Sequence, residues 1–570
     1  MDAKALRHAI VAASILGMAT LATTAKADDL IFTGGPILTM SGDTPTYVEA
    51  VVVSGGTISF AGPYVQAMAM KTANTQVIDL NGKLLMPAFI DAHSHYINTL
   101  SIANQVKLYP TPAGPGNDVP SIIATIKKFA ADHHVKPGEL IMGYGYDETV
   151  MPNGRLLTRE DLDEAFPDNP VRIDHISMHG AVLNTAGLKF FQFDPKTKTP
   201  EGGIIVRKPG SDEVDGLIME TAFLPIFEKT PTMTPEEEIA NTKRAQMMYA
   251  EQGITEAQEG ATHLGQLETI KRATDAGANF IDVDAYPFIT DLDKILAEFP
   301  RDQWLTFNNG LRIAGVKITI DGSPQGKTAL FTTPYLVPGP NGEENWKGGA
   351  LPAPQEVINA GLKKAFDLKV PVLFHVNGDA AINALIEAYQ FAAADSLTTD
   401  HQVTAIHSQF LRKDQIPKFV EYHIRPSFFT LHTFYFADAH IKQRGLAQAN
   451  YISPMRDAID AGLHPTNHTD AIVSPLDQML MLWSAVNRKS RNGEVIGADQ
   501  RITPYEGLKA MTVWAAEQAY ETDRRGTLAP GKIADLVILD KDPTKVAPDA
   551  IKDIKVMETF KEGRSIYTRQ

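Results

Sequence analysis

The chain has 570 residues, of which 44% are hydrophobic, enough for a large core, and its length predicts more than one domain or one large barrel with additions. Its formal net charge of −15 and the lack of any block of Lys and Arg argue against nucleic acid as a partner, because phosphate binding needs clustered cations. There is no cysteine, which excludes disulfides, thiolate metal sites and a cysteine nucleophile together. Any metal would therefore be held by His, Asp, Glu or a modified Lys.

Residues 1–27 read as a secretory leader: Lys4 and Arg7 make a basic start, an apolar stretch follows, and Ala25-Lys26-Ala27 gives a small-x-small cleavage signal. An uncleaved anchor is the alternative, but the apolar stretch falls short of the ~20 residues a membrane span requires. The expectation is a periplasmic or secreted protein with no membrane attachment after cleavage. Beyond the leader, "LIFTGGPILTM", "VEAVVVSGGTISFAG" and "TQVIDLNGK" read as short strands with Gly55-Gly56 and Asn81-Gly82 as turns. The far end has the same character in "GTLAPGKIADLVILDKDP" and "KVMETFKEGRSIYTR". Residues 28–83 and 520–570 are therefore expected to build one composite β-sandwich from both chain ends.

Residues 84–519 alternate strands and helices. Strands are predicted at 84–92, 253–257, 280–285, 312–320, 371–376, 402–407, 423–429 and 463–468. Two helix starts are explicit, with Thr234-Pro235 and Thr503-Pro504 followed by Glu237 and Glu506 in capping-box spacing. Eight strands separated by helices predict an α/β protein with a (β/α)8 TIM barrel. The long gap after the first strand, about 99–245, opens with the Pro- and Gly-rich "YPTPAGPGNDVP" and reads as an insertion.

The chemistry concentrates at strand ends. The apolar run "LLMPAFIDAHSHY" delivers His93 and His95, which alternation along a strand points the same way. Two converging imidazoles can grip one metal ion, although short H-x-H pairs also occur by chance on surfaces. "PVLFHVNGD" ends a strand on His375, "VTAIHSQF" ends the next on His407, and Asp470 follows the last. The C-terminal ends of the strands are where barrels keep their active sites. Lys317, in "GVKITIDGS", shares a strand face with Thr319 and Asp321. A lysine pointing into a barrel is costly if charged and unpaired, so it is neutral, paired (Asp321 being the nearest carboxylate in sequence) or converted by carbon dioxide to a carbamate. Physical chemistry alone favours the ion pair.

These motifs resemble the amidohydrolase superfamily over nearly the whole mature chain. "PAFIDAHSHY" is similar to the family's Pro-Gly-(Phe/Leu)-(Ile/Val)-Asp-x-His-x-His signature, with Ala88 where Gly is usual. The long insertion and "HGAVLNTAGL" at 179–188 point to amidohydrolase family 3, which includes N-substituted formamide deformylase-like and exoenzyme-regulator-like proteins. The resemblance implies one or two divalent metal ions, usually zinc, with His93, His95 and Asp470 on the more buried ion, His375 and His407 on the second, and a CO2-derived carbamate on Lys317 bridging them. On family grounds alone a homodimer is compatible. Three departures stand out: "GITEAQEGA" has Glu259 where relatives often have a nearby Asp, "RPSFFTLHTFYFADAH" is unusually aromatic, and His468-Thr469 precede the aspartate where Gly-Ser is common.

The expected reaction is attack of a metal-activated hydroxide on the carbonyl of a small amide, formamide or cyclic amide, with Asp470 as base and then acid. His179 and His432 are candidates for contact with the substrate or its oxyanion, Asp379 and Gln409 for orienting the ligands, and Tyr96 for lining the site. Phe428, Phe429, Phe434, Tyr435 and Phe436 serve either as pocket lining or as core. The competing readings are an ester or lactone hydrolase, a metal-dependent lyase or isomerase, and a catalytically silent binding or regulatory protein on the same fold.

Overall fold

The computed structural model describes residues 29–570 apart from 177–179, 201–202, 232, 340–341 and 350–353. The expected leader and His179 lie outside the described residues. Among the described residues no helix is long and apolar enough to cross a membrane.

Strands from the two chain ends meet in one sheet, in the order Arg564–Thr568, Val556–Lys561, Leu536–Leu539, Leu84–Pro87, Ile37–Leu38, Tyr47–Val48. Leu536–Leu539 runs antiparallel to Leu84–Pro87. Phe32, Val51 and Leu85 from the start of the chain pack with Leu536, Ile538 and Phe560 from its end.

The central strands form two parallel arcs. The first holds Phe89–Ile90, Ile254–Thr262, Asp282–Pro287 and Leu311–Ile313; the second holds Val316–Thr319, Val372–Val376, Val403–His407, Arg425–Phe428 and Thr466–Asn467. A parallel bridge between Phe288 and Lys317 joins the arcs. At the other side, Asp470 N donates to His93 O (3.1 Å) and His95 N to Ala471 O (2.7 Å). The result is a mixed α/β fold consistent with a TIM barrel. Its strands are buried along their length, as parallel strands covered by helices must be. Both anticipated helix starts carry capping boxes, Thr234 with Glu237 and Thr503 with Glu506.

The single strand expected over 84–92 is divided. Pro87 has no N–H to give a ladder, and there the chain changes sheets: Ala88 N donates to Asp535 O, Phe89 N to Gly253 O. The strand expected over 312–320 is also interrupted, at Ala314-Gly315, where a Cβ on Gly315 would overlap the Pro371 carbonyl and the Tyr286 ring.

Within the stretch read as an insertion, a six-stranded sheet runs in the order Gly203–Arg207, Val214–Glu220, Gly180–Leu183, Val171–His175, Ile141–Tyr146, Val106–Lys107. It touches the segment after Asp470: Tyr144 Oη donates to Ile472 O at 3.0 Å. A buried ionic cluster ties the central strands to the terminal sheet. Arg525 pairs with Asp282 and, at 2.7 Å, with Asp535, while Lys561 lies 2.7 Å from Asp282 and 2.9 Å from Asp535.

Candidate metal centre

His93 and His95 lie just past the Phe89–Ile90 strand rather than on it, yet both face Asp470: His95 Nε2 is 3.3 Å and His93 Nε2 3.8 Å from Asp470 Oδ1. The backbone of Asp470 is in the left-handed region (φ 53°), as is that of His407 (φ 69°). Such conformations cost on the order of 1–3 kcal/mol each and cluster at functional sites. Asp470 is further held by its neighbour, since Thr469 donates through N (3.2 Å) and Oγ1 (2.7 Å) to the buried Asp91. Burial pushes the Asp91 carboxyl up to about 7.

His93, His407 and Asp470 are all buried, and each offers a ligand atom within 4.8 Å of the others'. His93 Nδ1 lies 2.8 Å from Gln258 Oε1. That oxygen can only accept, so the ring proton sits on Nδ1 and the lone pair on Nε2. A Cβ on Gly260 would overlap the His93 ring, so only glycine there leaves room for the imidazole. His407 Nδ1 lies 3.1 Å from His468 Nε2, which leaves its own Nε2 for other use. His375 comes close, its ring centroid 4.6 Å from that of His407, but its Nε2 faces Asn377 Nδ2 (3.1 Å) and Asp321 Oδ1 (3.7 Å).

Electrostatics fit cation binding. Burial lowers the pKa of His93 and His407 well below the ordinary imidazole value and that of His375 to about 3, so all three are neutral at pH 7, the form that binds metals. Burial pushes the Asp470 carboxyl up, but the imidazoles of His95, His468 and His375 outweigh this and hold it at about 2. Asp470 Oδ1 is buried and receives no well-aligned hydrogen bond, although His95 Nε2 lies 3.3 Å away. An anionic oxygen stranded among neutral nitrogens is costly unless a cation completes it, and this is the observation on which the fit of a divalent metal rests.

Lys317 corrects the expectation from physics alone. It is buried with Nζ 3.4 Å from His93 Nε2, and among the described residues no carboxylate lies within ion-pair distance of it. Asp321 instead accepts from the backbone N–H groups of Asn377, Gly378 and Leu330. Burial lowers the lysine to about 8, against the pull of Asp470 and Glu259.

Other expected positions fall differently. His432 is buried with its ring centroid 6.2 Å from His407 and 4.1 Å from Phe429, and its Nδ1 has no partner. Tyr96 does not line the cluster: its hydroxyl accepts from Gln246 and its ring packs in the core. Asp379 orients no histidine, accepting from Thr332 and pairing with Arg412 at a helix start. Gln409 lies 2.8 Å from His440, away from the ligand set. Of the aromatic run, Phe428 is core, whereas Phe429 also packs against His468.

The sequence reading did not single out Gln258 and Gly260 as functional. The expected strand stopped at 257, whereas it runs Ile254–Thr262, and on that longer strand Glu256, Gln258 and Gly260 share one face. The signal available was the alternation of Glu256, Gln258 and Gly260 along one face of the strand.

The sequence pattern of the amidohydrolase family matches residues 76–567. The chain belongs to the amidohydrolase family. Among curated amidohydrolase relatives, YtcJ of Bacillus subtilis is 26% identical over 553 residues, covering 95% of this chain and 99% of that protein. N-substituted formamide deformylase of Arthrobacter pascens is 23% identical over 545 residues, covering 91% and 95%. A solved metal-dependent hydrolase from Pyrococcus furiosus shares the fold with a TM-score of 0.69 at 24% identity, covering 91% of this chain and all (100%) of its own.

Proposed function

We propose that this protein is a secreted, metal-dependent amidohydrolase that hydrolyses the C–N bond of a small amide, formamide or cyclic amide, the leader of residues 1–27 directing it to the periplasm or outside. The observation that carries the reading is the buried convergence of His93, His407 and Asp470 around a carboxylate oxygen that receives no well-aligned hydrogen bond. His93, His95, His407 and Asp470 would hold the ion, with His375 and Lys317 beside them. The all-nitrogen-and-oxygen donor set suits zinc. A divalent ion held there lowers the pKa of water from ~16 towards ~7 and polarises a carbonyl.

The chain's own residues supply the proton handling. Asp470, ionised and facing the cluster, takes a proton from the attacking water and returns it to the departing nitrogen. His432, neutral and with Nδ1 free, stands one imidazole away from the ligands, positioned to contact the substrate oxygen as it gains charge. Phe429 gives that side of the site an apolar wall, which suits an N-substituted amide over a charged one. Lys317, whose amine burial lowers to about 8 so that an appreciable neutral fraction is present near neutral pH, can add carbon dioxide with loss of a proton to give the carbamate the family resemblance implies.

The test is amine release from N-substituted formamides and simple amides, beside esters and lactones of matched size. Wild type treated with chelator and reconstituted with zinc is assayed with the Asp470→Asn variant. Zinc-dependent amine release that Asp470→Asn abolishes supports the reading. Turnover confined to esters or lactones contradicts the C–N assignment. Metal uptake that does not respond to bicarbonate, with Lys317→Ala loading as wild type does, contradicts the carbamate.

A further inference from the structure

Immediately ahead of the site aspartate this chain has His468-Thr469. The imidazole is not at the surface. His468 is wholly buried, its backbone N donates to Phe428 O (3.1 Å), and its ring stacks on Phe429 at 24°. Both ring nitrogens are engaged: Nε2 is 3.1 Å from His407 Nδ1, and Nδ1 is 2.9 Å from the hydroxyl of the buried Ser427.

Both rings are buried away from water, which favours their neutral forms. Two neutral imidazoles in one hydrogen bond share one proton between them, so the pair has two arrangements. In one, His468 Nε2–H donates to His407 Nδ1, and the proton of His407 then sits on Nε2 and blocks it. In the other, His407 Nδ1–H donates to His468 Nε2, His468 Nδ1–H donates to Ser427 Oγ, and His407 Nε2 carries a free lone pair. Ser427 can accept or donate, so it accommodates either arrangement without an unmet hydrogen bond, and a cation at His407 Nε2 selects the second.

We propose that His468 is a positioning residue: its Nε2 accepts from His407 Nδ1–H and so holds His407 in the orientation and tautomer that present a bare Nε2 to the metal, with Ser427 seating the His468 ring from behind. The inference rests on the reading of His407 as a ligand. The role is the one a carboxylate or backbone carbonyl usually fills behind a ligating histidine. An imidazole fills it without a charge, so His407 keeps its proton and acts as a neutral ligand, and the cation's charge is balanced locally by Asp470 alone among the His93, His407 and Asp470 set.

The test compares zinc affinity, by chelator competition, in wild type, His407→Ala, His468→Leu and His468→Gln. Leu keeps much of the volume but cannot accept; Gln restores an acceptor through Oε1. The expected result is a 10–100-fold weaker zinc affinity in His468→Leu, the range for loss of such a partner, largely recovered in His468→Gln. A His468→Leu protein that binds zinc as wild type does, or two His468 variants weakened alike, overturns the proposal while leaving the hydrolase reading standing. Wild type that binds no zinc overturns both. Should His468→Leu fail to fold, cobalt(II)-loaded wild type decides by proton NMR. A hyperfine-shifted, slowly exchanging N–H that is absent from His407→Ala is expected; no such proton overturns the proposal.

Discussion

Gly260→Ala adds one methyl group and is expected to disable the site. A Cβ at that position would sit closer than 3.0 Å to two atoms of the His93 imidazole and 3.3 Å from Nε2. Carbon contacts are comfortable at about 3.5–4.0 Å, so the ring must retreat by on the order of 1 Å. It has nowhere to go without loss, because His93 is fully buried, its Nδ1 is tied to Gln258 at 2.8 Å, and Lys317 lies 3.4 Å from its Nε2. Overpacking of this kind costs about 1–3 kcal/mol. The displaced Nε2 also leaves the 4.8 Å cluster it forms with His407 and Asp470. The assay is zinc content beside urea denaturation of the metal-free protein. The expected outcome is a folded protein, destabilised by that amount, that no longer retains zinc through gel filtration. A Gly260→Ala protein with wild-type zinc content and an unchanged midpoint would refute the claim that His93 is seated on this glycine.

Gln258→Leu removes the acceptor that sets the His93 tautomer and is expected to weaken zinc affinity about 10–100-fold, measured by chelator competition. Asp470→Asn keeps the shape but cannot shuttle a proton; kcat should fall by about 10²–10⁴-fold in the amine-release assay. For Asp282, burial raises the carboxyl, but Lys561 and Arg525 outweigh it and hold the group well below the usual range. A depressed folded-state value means its stabilisation is present above the unfolded value near pH ~4 and is lost as pH falls from there. Lys561→Met leaves Asp282 with Arg525 only, so unfolding at pH 7 should become easier by about 3 kcal/mol and the acid limb should move to higher pH. Coincident acid titrations of variant and wild type, followed by tryptophan fluorescence, would count against that cluster.

Much of this was readable in the chain because the relevant physics is local. Apolar runs ending in histidine located the strands that carry His375 and His407, and Thr-Pro-x-Glu spacing located the two helix starts. Other features depend on what lies across the fold. Pro87 hands the chain from one sheet to another, which an unbroken apolar run does not reveal. Among the described residues Lys317 pairs with no carboxylate, and Asp321, the nearest in sequence, already accepts from three backbone N–H groups of other segments. His468 reads as a departure from the family pattern; that it stands behind His407 depends on the neighbouring strand Arg425–Phe428, which supplies Ser427.

The most direct test of the central claim is a crystal of the protein reconstituted with zinc, measured on both sides of the zinc absorption edge. The account predicts an anomalous peak among His93 Nε2, His407 Nε2 and Asp470 Oδ1. No peak there, or the only peak beside the second group of metal-compatible side chains, Asp147, Glu148 and His175, would contradict it.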